Sequence, residues 1–171
     1  MASLRVLIPA VQIQERVKAL GAQIDRDCGP GPLYLIGVLK GSCIFLADLA
    51  RAIDCPVRID FIGASSYEGT ESSGRVRITK DLDLSIAGCD VIVVEDIVDT
   101  GNTLAELLEI LGKRKPKSLR VAAILDKPSR RQQEVPVDYV GFTIPDEFVV
   151  GYGLDYEQDY RGLPDICVLT K

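Results

Sequence analysis

Residues 91–104 read VIVVEDIVDTGNTL, and the fold follows from how this run changes period. Val91 to Glu95 is a continuous apolar run closed by an acid, the pattern of a strand buried on both faces. Asp96 follows directly. Asp99, Thr100, Gly101, Asn102 and Thr103 then make a small, polar turn. From Leu104 the spacing is helical, with Leu104, Leu107, Leu108 and Leu111 on one face. Gly112 ends that helix. Lys113, Arg114 and Lys115 stand where its dipole favours cations, and Pro116 prevents it from resuming.

A strand–turn–helix junction gathers free backbone N–H groups and the positive end of a helix, which favours anions, phosphate above all. Glu95 and Asp96 bring negative charge to the same strand end. Acids beside a phosphate cradle are compatible when a cation such as Mg²⁺, or a polyhydroxylated sugar, lies between. The residues alone therefore suggest a phosphorylated sugar handled with magnesium. The plainer reading is a capped helix start, with Asp99 or Thr100 as the cap. The acid pair favours the functional reading, because open α/β sheets bind ligands at the carboxyl ends of their strands.

The same alternation runs outward in both directions. Ile13, Val17, Leu20 and Ile24 mark an amphipathic first helix, closed by Gly29-Pro30-Gly31-Pro32. Leu33 to Leu39 is a buried strand, followed by the turn Leu39-Lys40-Gly41-Ser42 and a helix carrying Phe45, Leu46, Leu49 and Ile53. Val57 to Ile62 is a third strand, nearer an edge because Arg58 and Asp60 interrupt it. Residues 64–74, ASSYEGTESSG, bury almost nothing: a surface loop on the plain reading, a lid on the other. Strands are expected at Val76–Thr79, Leu119–Leu125, Val137–Phe142 and Asp165–Leu169, with a charged surface turn at Ser129–Glu134. Alternating strands and helices predict an α/β fold with a mostly parallel central sheet.

Composition bounds the function. The chain has 171 residues, a net charge of −5 and a pI near 4.8, enough for one domain with a real core and unlike a nucleic-acid binder. With no histidine, Ser-His and Cys-His nucleophilic machinery is excluded, and acid–base work falls to Asp, Glu, Lys or Tyr. Five cysteines without CxxC spacing are expected to be reduced and mostly in the core. No signal-like or membrane-length apolar run occurs, so a soluble, cytoplasmic protein with no membrane partner is expected.

The 91–104 stretch closely resembles the phosphoribosyl-pyrophosphate (PRPP) signature of type I phosphoribosyltransferases, and its acid pair resembles the 6-oxopurine branch. FVVGYGLDY at 148–156 resembles that branch's base-binding hood. The order and spacing of LKGS and of Ser66-Tyr67 support the match, which covers nearly the whole chain.

The resemblance implies a single domain over 1–171. A hood would come from the N-terminal segment and about 142–171, and a mobile lid from about 64–76, carrying Ser66 and Tyr67. It implies that Glu95, Asp96, Asp99, Thr100, Gly101, Asn102 and Thr103 hold the ribose and its 5′-phosphate. Lys40, Gly41 and Arg161 would hold pyrophosphate, with a cis peptide at Leu39–Lys40. Lys127, Phe148, Val149 and Asp155 would face the purine: Lys127 on its 6-oxo group, Phe148 stacked on its ring, Val149 by its backbone. Glu95, Asp96 and Asp155 would lie by Mg²⁺.

The implied reaction joins hypoxanthine or guanine to PRPP, giving IMP or GMP and pyrophosphate, with Asp99 taking or sharing the proton at ring nitrogen 7. Homodimers or homotetramers are expected. The alternatives are a xanthine- or guanine-preferring enzyme and a non-catalytic PRPP-sensing regulator.

Overall fold

The computed structural model describes residues 3–66 and 75–170. Tyr67 and most of the expected lid lie outside the described residues.

In chain order the elements are β1 (Ser3–Ile8), α1 (Ala10–Asp27), β2 (Leu33–Leu39), α2 (Cys43–Ala52), β3 (Val57–Ser66), β4 (Val76–Lys80), β5 (Asp90–Val98), α3 (Asn102–Gly112), β6 (Ser118–Asp126), β7 (Tyr139–Thr143), β8 (Val149–Val150) and β9 (Ile166–Thr170). A single 3₁₀ turn, Pro128–Arg130, follows β6. The central sheet has the order β4-β3-β2-β5-β6-β7. All its pairings are parallel except β3 with β4.

Strand β5 shows why its sequence does not alternate. Ile92 and Val94 pack on the side of α1 and α2, with Ile13, Leu20, Phe45 and Leu49. Val91 and Val93 pack on the opposite side, against Leu104, Leu107 and Leu111 of α3. Successive side chains point to opposite faces, and both faces are covered, so every position must be apolar.

Sequence order runs outward from the middle of this sheet: β2 leads to β3 on one side, and β5 to β6 and β7 on the other. The strand order therefore reverses between β2 and β5, and the turns after Leu39 and Val98 are neighbours. Such a reversal opens a crevice at the carboxyl ends of the strands.

A second, antiparallel sheet has the order β1-β9-β8. Ser3 lies opposite Thr170, and Val149 opposite Val168, so the two ends of the chain and the FVVGYG segment form one small layer. Helix α1 starts after Pro9, which cannot cap it. Instead the Ala10 N–H donates to Asp165 Oδ1 at 2.7 Å, which fastens the helix start to the same layer.

Some expectations need correction. β3 continues through Ala64, Ser65 and Ser66, which pair with β4, so these residues are strand rather than lid. Pairing at the sheet edge uses backbone groups and needs no apolar side chains. β1 was not expected as a strand, because Leu4 and Val6 are exposed and only Ile8 is buried. The β7 strand starts at Tyr139 rather than Val137. Pro136 precedes it, and Asp138 Oδ2 is used to accept the Val121 N–H at 2.8 Å. All five cysteines are free, but only Cys167 is buried.

Candidate active site

The two turns at the reversal touch through a glycine. The Leu39–Lys40 peptide is cis, as the resemblance implied. Gly41 lies against the Asp96 carboxyl, where a Cβ would stand 1.8 Å from Oδ2. On its other side Gly153 comes equally close, since a Cβ there would stand 2.2 Å from Gly41 O. The acid pair, the LKGS turn and the GYG segment are thus stacked in that order. Ser42, fully buried, donates from Oγ to Val38 O at 2.7 Å and steadies the turn.

Glu95 is buried and Asp96 keeps some surface open. Desolvation first, and then the like charge of Asp96, push the Glu95 carboxyl well above the usual carboxylate range. Desolvation also raises Asp96, against the pull of the Ile97 N–H and of Arg161. Two neighbouring buried acids resist ionising together, so the pair favours a cation or a polyhydroxyl partner.

Helix α3 begins at Gly101, whose φ of 84° lies in the left-handed region, and no side chain caps it. The cap position is thus a glycine rather than Asp99 or Thr100, and Thr100 Oγ1 accepts only the first helical N–H, that of Asn102, at a long 3.4 Å; a helix start of this kind favours an anion. The turn is held from outside by the segment after β6. Arg131 Nη1 donates to Asp99 O at 2.9 Å, and its Nη2 pairs closely with Asp126. The N–H groups of Gln132 and Gln133 donate to Thr100 O at 2.8 and 3.1 Å. Asn102 Nδ2 donates to Gln132 Oε1 at 2.8 Å.

Arg130 and Arg131 are neighbours of the candidate site that the sequence reading missed. They belong to what was read as a charged surface turn. The available signal was their position three and four residues after Lys127, just beyond a strand end.

On the Lys40 side, Arg161 Nη1 donates to Gly153 O at 2.7 Å and its Nη2 lies 3.1 Å from Asp155 Oδ1. Gln158 Oε1 accepts from Lys40 Nζ at 3.3 Å and from Arg161 Nη2 at 3.1 Å. One amide oxygen thus sits between two cations, and Gln158 is a second residue the sequence reading did not single out. Asp155 Oδ2 also accepts the Gln158 N–H at 2.8 Å.

The third wall is built by β6 and the approach to β8. Lys127 is buried, and its Nζ donates to Glu147 O at 2.9 Å. Phe148 is half exposed and meets Tyr156 edge to face, with ring centroids 5.8 Å apart. An exposed aromatic face beside a buried ammonium suits a flat heterocycle with an oxygen acceptor. Val149 is buried in β8 opposite Val168.

A small cavity of about 110 Å³ is lined by Glu95, Asp99, Thr100, Gly101 and Thr103. A larger one of about 880 Å³ runs along the outside of α3 past Arg75, Asn102 and Gln133 and is not lined by either acid of the pair. Chemistry rather than size locates the site. Ser66 ends β3, and Tyr67 lies outside the described residues. Among the described residues no group of three or more His, Cys, Asp or Glu could hold a metal unaided.

A mostly parallel sheet whose strand order reverses beside an acid pair and a helix started by a glycine is the architecture of the phosphoribosyltransferase class. The phosphoribosyl transferase domain family matches residues 9–157, and the chain belongs to that family. The hypoxanthine phosphoribosyltransferase of Salmonella typhimurium is 52% identical over 166 residues, 95% of this chain and 93% of that protein. The hypoxanthine-guanine phosphoribosyltransferase of Staphylococcus aureus is 50% identical over 165 residues, 96% of this chain and 92% of that protein. The crystal structure of a hypoxanthine-guanine phosphoribosyltransferase from Bacillus anthracis superposes with a TM-score of 0.93 at 47% identity, covering 100% of both chains.

Proposed function

We infer that the protein is a purine-salvage enzyme that transfers the 5-phosphoribosyl group of PRPP to hypoxanthine or guanine, giving IMP or GMP and pyrophosphate. The observation that carries the reading is the stacking of Gly153, Gly41 and Asp96. It brings three chemically distinct surfaces to one crevice: the acid pair, the cationic pocket of Lys40 and Arg161, and the aromatic wall of Phe148 with Lys127. Nearly full-length identity of about half to enzymes of that name supports the same substrates.

In this reading the uncapped turn 99–103 holds the 5′-phosphate, and Glu95 and Asp96 hold the ribose hydroxyls. Lys40, Gly41 and Arg161 receive the pyrophosphate, displacing the Gln158 amide from between the two cations. Lys127 donates to the 6-oxo group, Phe148 stacks on the ring, and the Val149 backbone and Asp155 border its edge. As the purine nitrogen bonds to the anomeric carbon, the bond to pyrophosphate breaks, and Asp99 accepts the proton released from ring nitrogen 7. The work is mostly positional and electrostatic.

The acid pair also fits Mg²⁺, a hard cation that takes one or two carboxylates together with substrate oxygens rather than an all-protein cage. Glu95 and Asp96 would hold it, with Asp155 near, and it would neutralise charge on the leaving pyrophosphate. Residues 1–171 act as one catalytic domain, with Ser66, at the end of β3, and Tyr67 serving to close over the reactants. We expect a cytoplasmic homodimer or homotetramer. Among the described residues no helix is long and apolar enough to cross a membrane.

Calorimetric titration with IMP, GMP, XMP, AMP and UMP tests the specificity. Binding of IMP or GMP without AMP or UMP is expected. Preferential binding of XMP would move the assignment to a xanthine-preferring enzyme, and binding of AMP would contradict the 6-oxopurine assignment.

A further inference from the structure

Two adjacent arginines follow Lys127, and the structure gives them different tasks. Arg131 is mostly buried and grips the Asp99 backbone oxygen and Asp126. Those are fixed points of the scaffold, so Arg131 serves to hold the turn. Arg130 is 48% exposed and reaches the Asp99 side chain, its Nε lying 3.0 Å from Oδ1.

That contact is an ion pair rather than an aligned hydrogen bond: Asp99 Oδ1 is buried and receives no hydrogen bond. The Asp99 side chain as a whole is nevertheless 40% exposed. With Oδ1 covered by the guanidinium, the exposed part is the Oδ2 side of the carboxyl. A carboxylate has two equivalent oxygens, and Arg130 makes them inequivalent, one shielded and one presented.

The other end of the same guanidinium meets the hood. Arg130 Nη1 lies 3.8 Å from Asp146 Oδ1, and that oxygen is also 3.8 Å from Lys127 Nζ. Charges therefore alternate along Asp99, Arg130, Asp146 and Lys127. The two ends of this chain are the acceptor for the purine's ring proton and the donor to its 6-oxo group. Phe148, the stacking ring, comes two residues after Asp146. A planar guanidinium can face two acids at once through Nε and Nη1, whereas an ammonium is a single point of charge.

We propose that Arg130 is a positioning residue for the purine. It turns the Asp99 carboxylate so that one oxygen faces the base, and through Asp146 it sets the distance between that carboxylate and Lys127. The proposal rests on the reading of Asp99 and Lys127 as purine-contacting groups.

The test is steady-state kinetics of Arg130→Gln and Arg130→Lys, varying hypoxanthine at saturating PRPP and then PRPP at saturating hypoxanthine, with thermal unfolding in parallel. Arg130→Gln is expected to lower kcat/KM for hypoxanthine by about 5-fold, the size of a partly exposed charge contact, with the KM for PRPP and the unfolding midpoint unchanged. Arg130→Lys is expected to recover part of that loss, since it restores the charge on Asp99 without the bridge. Wild-type hypoxanthine kinetics in Arg130→Gln would overturn the proposal alone. So would a loss shared equally by the PRPP parameters and the unfolding midpoint, which would make Arg130 merely structural. A wild-type protein inactive with every 6-oxopurine would remove the functional reading and this proposal with it.

Discussion

Gly41 and Asp96 stand so close that the smallest side chain at position 41 would overlap a carboxylate oxygen, at 1.8 Å. They come from different elements, one from the turn after β2 and one from near the end of β5, and are neighbours because the strand order reverses between those strands. Gly41→Ala must therefore push apart the LKGS turn and the acid pair. Overpacking of this kind costs about 1–3 kcal/mol. Urea unfolding is expected to show a loss in that range. The folded fraction is expected to release pyrophosphate much more slowly than wild type. Unchanged stability and activity would mean that the two turns are not in contact.

We propose Asp99 as the proton acceptor. General base catalysis contributes about 10²–10⁴-fold. Asp99→Asn is expected to reduce kcat by up to that factor while changing the KM for PRPP far less, because the turn proposed to hold the phosphate would do so with backbone groups. An amide can still hydrogen-bond the purine, so the range is a ceiling. Unchanged kcat in steady-state kinetics would remove Asp99 from this role.

Lys127 is buried, and its ammonium donates to Glu147 O. A hydrogen bond from a charged donor contributes about 1.5–3 kcal/mol. Lys127→Ala is expected to raise the KM for hypoxanthine by about one to two orders of magnitude, with the KM for PRPP little changed. If the PRPP value rises in step, Lys127 serves the sugar rather than the base.

Tyr152 ties the GYG segment to α2. Its hydroxyl donates to Asp48 Oδ2 at 2.6 Å. Desolvation pushes the Asp48 carboxyl up, but hydrogen bonds from Tyr152, Arg51 and Gln14 outweigh it and hold the group below its ordinary value. A depressed acid stabilises the fold above its unfolded pKa, and that contribution is lost as pH falls through the folded value. Tyr152→Phe is expected to cost about 1 kcal/mol at neutral pH. The gap between wild type and variant should close below about pH 4. Denaturant melts at several pH values check this, and a gap independent of pH would contradict it.

Which parts were legible in the sequence follows a physical rule. The buried strands at 33–39 and 91–95 and the leucine face of α3 were readable because local period and burial coincide there. The GYG segment was readable as a site only through its likeness to a family, since its glycines serve contacts made at long range. Arg130, Arg131 and Gln158 were not legible. Each acts across a turn or between elements, and on the sequence each looks like an ordinary solvated side chain. The same holds for β1, whose pairing with β9 depends on backbone groups from the other end of the chain.

We infer that this crevice transfers a phosphoribosyl group to a 6-oxopurine. Pyrophosphate release from PRPP with Mg²⁺ should be measured separately with hypoxanthine, guanine, xanthine, adenine and uracil. Release with hypoxanthine or guanine, and none with adenine or uracil, is the predicted result. Tight PRPP binding with no release for any base would contradict it and leave a PRPP-sensing regulator as the reading.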